Sequence, residues 1–186
     1  GLAFECLYEC GNGCHVYFLT RMPSPKIILQ AFAEVKPKIV IAVPLIIEKI
    51  IKKNVLPKLE TPTMRFLMRV PLVNDKIKAK VREQLINAFG GEFYEIIVGG
   101  AAFNQEVEAF LHRINFPYTV GYGMTECAPI ITYEDWQIFK QGSCGKAAPR
   151  MEVKILSRDP QNIPGEIVTR GDNVMLGYYK NQEATN

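Results

Sequence analysis

Thr125 and Glu126 stand side by side at the end of an apolar run, in the stretch VGYGMTECAP that spans residues 120–129. A hydroxyl that can bond a phosphate oxygen sits next to a carboxylate that can hold a hard divalent cation. Gly121 and Gly123 flank Tyr122 just before them, and small residues let a ligand lie against backbone. A second small-residue loop, Gly99-Gly100-Ala101-Ala102-Phe103-Asn104, runs into a helical pattern. Backbone N–H groups at a loop-to-helix junction suit an anion. The alternative for both stretches is an ordinary strand-to-helix turn, with Asn104 as N-cap.

Familiar phosphate loops do not fit. A dinucleotide fingerprint, G-x-G-x-x-G, would need Gly or Ala at 126, where Glu126 stands. A Walker loop would need Ser or Thr after Gly145-Lys146, where Ala147 stands, and glycine in place of Lys140. Cys6, Cys10 and Cys14 fall four apart and His15 follows. Gly11 and Gly13 interrupt that run and no second pair exists, so small thiols beside a helix end fit better than zinc. His15 and His112 are the only histidines, and no Ser/His/Asp arrangement appears. His112 lies among Phe110, Leu111 and Ile114 and reads as surface or packing.

The elements that must position these residues alternate. His15–Leu19 reads as a short strand. Ser24-Pro25 opens a helix with Ile28, Ala31, Phe32 and Val35 on one face, stopped at Pro37. Lys38–Val43 is apolar and β-branched, as a strand buried on both faces would be, and Leu45–Lys53 is helical again. A turn-rich stretch with Pro57, Pro62 and Pro71 follows. Asp75–Phe89 is predicted helical and ends at Gly90-Gly91. Phe93–Val98 is a strand, Asn104 opens a helix, and Tyr118–Tyr122 is the next strand. This alternation predicts an α/β fold, a mostly parallel sheet with helices on both faces, with ligands beyond the carboxyl ends of its strands. Met151–Leu156 and Gly165–Arg170 are short alternating strands, which predicts a small antiparallel, barrel-like portion. The division is an α/β subdomain over residues 1–135, carrying the site, and an antiparallel subdomain over 145–186. Tyr133 and Trp136 are read as covering the junction rather than as a ligand lid. Lys52, Lys53, Lys76, Lys78 and Lys80 read as solvated helix faces.

Composition narrows the function classes. The chain has 186 residues, 48% hydrophobic and 22% charged, with 22 Lys+Arg against 19 Asp+Glu and a net charge of +3. Scattered lysines and no basic block argue against nucleic acid. The longest apolar run, Ile39–Ile47, contains Pro44 and falls well short of the roughly 20 residues a membrane span needs. No signal peptide is visible, and five cysteines without disulfide-like spacing point to reduced thiols and a cytoplasmic setting.

GYGMTECAP resembles the Tyr-Gly-x-Thr-Glu motif of the AMP-forming acyl-CoA synthetases, the adenylate-forming superfamily. GGAAFNQEVEAFL is similar to that family's Gly-Gly-Ala segment. GSCGKAAPRMEVKI resembles the strand that opens its small barrel, and GEIVTRGDNVMLGYYKNQEAT its Gly-Glu-Ile/Leu … Gly-x-x-Val-x-x-Gly-Tyr segment. The resemblance covers essentially the whole chain. The opening with Phe4-Glu5-Cys6 and the PSPKIILQAFAEVKPKIVIAVP stretch look most like bacterial long-chain fatty acid–CoA ligases.

The resemblance implies a truncated piece of the acetyl-CoA synthetase-like fold and assigns roles. Tyr122 would pack on adenine, and Gly100, Ala101 and Ala102 would let adenosine lie on backbone, with Gly123 and Met124 continuing that side. Gly99, Gly121 and Gly123 would leave room for the acyl carboxylate. Thr125 would bond the α-phosphate and Glu126 would hold Mg²⁺. The implied reaction activates a fatty acid with ATP as acyl-AMP, then transfers it to coenzyme A. A carboxylate with a pKa near ~4.3 is already ionised at neutral pH, so no general base is needed. The family's glycine-rich phosphate loop belongs upstream of this chain, and its ribose-binding Asp and C-terminal catalytic lysine belong downstream. The chain therefore reads as an internal part of a larger adenylating domain, inactive alone, and peripheral membrane contact of the parent is left open. Two alternatives stand. One is an amino-acid-adenylating relative, for which Glu5 after Phe4 leaves room. The other is a nucleotide- or acyl-binding module without catalysis.

Overall fold

The computed structural model describes residues 6–20, 22, 24–67 and 70–185. Phe4 and Glu5, which bear on the amino-acid-adenylating alternative, lie outside them. After a single helical turn, α1 (Tyr8–Gly11), the first long helix is α2 (Pro25–Val35). The Ser24 side chain accepts the Ile27 N–H there, with proline at the first helical position. The segment 14–20 forms no strand. Tyr17 and Phe18 are largely exposed, and an alternating sequence becomes a strand only where another strand accepts its hydrogen bonds.

Strand β1 (Ile39–Ala42), helix α3 (Pro44–Asn54) and two short helices, α4 (Leu56–Leu59) and α5 (Pro62–Leu67), follow. Then come α6 (Pro71–Ala88), β2 (Glu95–Val98), α7 (Gln105–Arg113) and β3 (Tyr118–Val120). The prolines of the turn-rich stretch sit at first-turn positions of α4 and α6. They start helices rather than break them, and α6 begins a turn earlier than its apolar periodicity predicts.

Among the described residues β1, β2 and β3 form a parallel sheet in that order. Register places Val40, Ile96, Val98, Tyr118 and Val120 on one face. They enter the main core with Ile47, Ile50 and Ile51 of α3, Leu85 of α6 and Val107, Phe110 and Leu111 of α7. Phe89, Phe93 and Phe116 close it with tilted and edge-on ring contacts. Among the described residues, helices do not cover the second face of β2 and β3. There Glu95 and Thr119 are met by the chain after residue 132: Thr119 Oγ1 donates to the Glu134 carbonyl at 2.7 Å. Ile39 and Ile41 on β1 stay 55% and 36% exposed. The reading of this strand as buried on both faces is thus corrected: it lies at the sheet edge with one face open.

Parallel pairing ends at Val120. The predicted strand Tyr118–Tyr122 is two, because the chain bends at Gly121 and re-pairs antiparallel. β4 (Tyr122–Gly123), β5 (Ile130–Tyr133) and β6 (Lys146–Ala147) form this second sheet. A six-residue-per-strand hairpin, β7 (Met151–Leu156) and β8 (Glu166–Gly171), makes the third, and a short helix, α8 (Gln182–Thr185), follows. A second small core of Cys127, Ile131 and Met151 joins the last two sheets. No helix among the described residues is long and apolar enough to cross a membrane.

Candidate functional site

The two small-residue loops meet. At the carboxyl ends of β1, β2 and β3 lies a cleft of about 700 Å³. Ile41, Val43, Ile46, Ile97 and Ile130 give the lining an aliphatic share. Beside them lie Gly99, Gly100 and the run from Gly121 to Glu126, with Ile97 and Ile130 packed next to Gly121. Among the described residues Glu126 is the only charged side chain on the lining. Ala101 and Ala102, read as part of the nucleotide shelf, are exposed and do not line the cleft. Gly100 carries the turn with φ +84°, a conformation L side chains rarely adopt. The helix after this loop is fixed twice. The Asn104 side chain accepts the Val107 N–H at 3.1 Å, and its own N–H donates to Glu48 of α3 at 3.1 Å.

Local geometry explains the turn that carries Thr125 and Glu126. Met124 N–H donates to the Pro129 carbonyl, and a 3-10 turn, Thr125–Cys127, fills the space between. Ala128 takes a left-handed φ of 52° ahead of a cis bond to Pro129. A Cβ on Gly123 would strike the Pro129 carbonyl, whereas one on Gly121 would meet its nearest atom at 3.5 Å. Gly123 is therefore required by the turn itself, and Gly121 is not. Cys127 is buried in the second core, which anchors one end of the turn and leaves its other two residues facing the cleft.

The Glu126 carboxylate accepts a hydrogen bond from the Tyr178 hydroxyl at 2.5 Å. That bond, and then a backbone hydrogen bond, hold its pKa below the ordinary carboxylate range. The same bond raises Tyr178. Glu126 is thus an anion at neutral pH, with one oxygen engaged by a phenol. A single carboxylate of this kind fits a hard cation that arrives with phosphate oxygens of its own. It does not make a cage, and the described residues contain no group of three or more His, Cys, Asp or Glu arranged around one point.

Sequence reasoning missed the support of this turn. Asn173 Nδ2 donates to the carbonyls of Cys127 (2.5 Å) and Ile130 (3.0 Å), and Met175 N–H donates to the Glu126 carbonyl. With Tyr178, these residues come from the stretch GDNVMLGYY after β8. Its motif was visible, but nothing in the sequence said that it reaches back about fifty positions. Tyr133 and Trp136 lie at the amino end of β2, away from the cleft: the Tyr133 hydroxyl and the main-chain N–H of Trp136 both donate to the buried Glu95. His15 and His112 are exposed.

The AMP-binding enzyme family matches residues 1–179. The chain is 34% identical over 130 residues to 4-coumarate–CoA ligase 1 of Solanum tuberosum, covering 62% of this chain and 24% of that protein. It is 36% identical over 93 residues to a long-chain-fatty-acid–CoA ligase of Escherichia coli O157:H7, covering 47% of this chain and 17% of that protein. Among solved structures, O-succinylbenzoate coenzyme A synthetase from Bacillus subtilis, in complex with ATP and magnesium ion, superposes with a TM-score of 0.64 at 21% identity. That match covers 96% of this chain and 32% of the synthetase, and shows the shared fold.

Proposed function

Because the chain belongs to the AMP-binding enzyme family, we propose that it forms one wall of the active site of an ATP-dependent acid–CoA ligase acting on a long-chain fatty acid. The observation that carries this reading is the mixed lining of the cleft. Aliphatic side chains and glycines line it together with the Thr125 hydroxyl and the Glu126 carboxylate. An apolar acid lies along Ile41, Val43, Ile46, Ile97 and Ile130, with its carboxylate between Gly99, Gly121 and Gly123. The nucleotide lies on Gly100, Tyr122 and Met124, and Thr125 bonds its α-phosphate. Glu126 would hold Mg²⁺ together with the phosphates of ATP, and the cation would neutralise charge that develops on transfer. The carboxylate attacks the α-phosphorus in line and pyrophosphate leaves. The chain contributes position and a fixed electrostatic surface rather than proton transfer. Coenzyme A then displaces AMP.

Residues 1–135 and 145–186 serve as the two subdomains of this wall, with the turn after β3 reading out both. A cytoplasmic location and reduced cysteines complete the reading. The aliphatic lining favours a fatty acid. It offers no carboxylate besides Glu126 for the amine of an amino acid. The longer stretch of identity to 4-coumarate–CoA ligase supports a second reading, an aromatic acid on the same wall. Carboxylate-dependent ATP–pyrophosphate exchange by the full-length protein separates them. Long-chain fatty acids are expected to drive exchange above 4-coumarate, benzoate and amino acids. Preference for 4-coumarate would select the second reading, and no exchange with any acid would leave a binding module.

A further inference from the structure

We infer that Tyr178, backed by Asn173, is the positioning residue that aims the Glu126 carboxylate, a role that rests on the reading of Glu126 as the cation ligand. Three observations converge on it. The Tyr178 hydroxyl donates to Glu126 Oε1 at 2.5 Å across 52 positions of sequence. Tyr178 is 44% exposed, so the contact is a surface hydrogen bond and not a by-product of core packing. Main-chain and side-chain bonds from the same short segment fix the rest of the turn. Met175 N–H holds the Glu126 carbonyl, and Asn173 Nδ2 bridges the carbonyls of Cys127 and Ile130.

Tyr178 is itself held before it reaches Glu126. Its N–H donates to Thr185 Oγ1 at 3.0 Å, and its carbonyl accepts from Asn181 N–H. Thr185 Oγ1 in turn donates to the Asn181 carbonyl at 2.7 Å. This knot across α8 sets the phenol, and the phenol sets the carboxylate. A free glutamate spreads over several rotamers. Engaging Oε1 restricts the side chain and leaves Oε2 as the oxygen presented to a cation. Tyr178 thus acts through Glu126 and touches no reacting atom.

The test uses Mn²⁺ as probe in the full-length protein with a non-hydrolysable ATP analogue bound, read by electron paramagnetic resonance. Tyr178→Phe should weaken Mn²⁺ binding about three- to tenfold, the scale of one hydrogen bond to a charged group at a partly exposed site. It should leave metal-free nucleotide affinity and melting temperature unchanged. Asn173→Ala should shift Mn²⁺ affinity in the same direction, and Tyr179→Phe, at the exposed neighbouring ring, should not. In a Glu126→Gln background, Tyr178→Phe should add nothing, since the coupling runs through the carboxylate. Unchanged Mn²⁺ affinity in Tyr178→Phe, beside a clear loss in Glu126→Gln, would overturn the positioning role alone. Equal losses of metal and nucleotide affinity with a lower melting temperature would reduce Tyr178 to a structural contact. No loss in Glu126→Gln would overturn the reading of Glu126 beneath it.

Discussion

Gly121 and Gly123 flank the same tyrosine, yet their surroundings differ. A methyl on Gly123 would meet the Pro129 backbone, which the Met124–Pro129 bond prevents from moving. One on Gly121 meets only ordinary contacts. Gly123→Ala should therefore lower unfolding free energy by about 1–3 kcal/mol, the usual scale of overpacking. Gly121→Ala should stay within about 0.5 kcal/mol, although it narrows the cleft. Urea unfolding of the two variants checks this, and equal losses would refute the distinction. At this scale the adjacency of Thr125 and Glu126 was legible because both lie in one short motif. Tyr178 was not, because its contact depends on how a distant turn folds back. Ala101 and Ala102, exposed beside Gly100, were legible only as small residues next to a turn.

The elements read well where capping chemistry is local. Ser24-Pro25 and Asn104 start helices as their side chains dictate, and β2 and α7 fall where apolar periodicity places them. Misreadings arose where tertiary partners decide. The segment 14–20 finds no strand partner, β1 has a face that nothing in the described residues covers, and the chain turns from parallel to antiparallel pairing at Gly121. The join between the two sheets has a pH signature. Burial pushes the Glu95 carboxyl up, against the Tyr133 and Trp136 donors that pull it down. Its folded pKa lies above its unfolded value of about 4.3. The stability it contributes is full below that unfolded value and is lost as pH rises through the raised one. The unfolding free energy of the native chain minus that of Glu95→Gln should therefore fall as pH rises from about 4 to 8. Carboxylates elsewhere cancel in the difference. A flat or rising difference in urea titrations would contradict the assigned direction.

For the whole molecule, the cleft is open. The described lining carries a single negative charge and no lysine or arginine, and an open cleft leaves each polar contact in water, where it is weak. A triphosphate finds little there to hold it. The isolated 186 residues should bind ATP·Mg²⁺ at millimolar affinity or weaker, about 4 kcal/mol or less, and form no acyl-adenylate. Isothermal titration tests this, and micromolar binding would mean that the wall suffices by itself. The order of elements was legible because helix and strand periods differ. The sharing of the cleft between a parallel sheet and an antiparallel one was not, because the pattern has no marker for a strand that changes partners.

The most direct measurement is single-turnover formation of acyl-adenylate by the full-length protein, from ATP and a long-chain fatty acid, with Glu126→Gln against the native residue. Replacing the carboxylate by an amide keeps shape and removes the charge proposed to meet the cation. The rate should fall on the order of 10²–10³, as when one strong electrostatic contact is lost from a transition state, while circular dichroism and melting temperature stay as they were. Adenylate formation at the native rate would show that Glu126 only shapes the turn, and that the chemistry resides elsewhere.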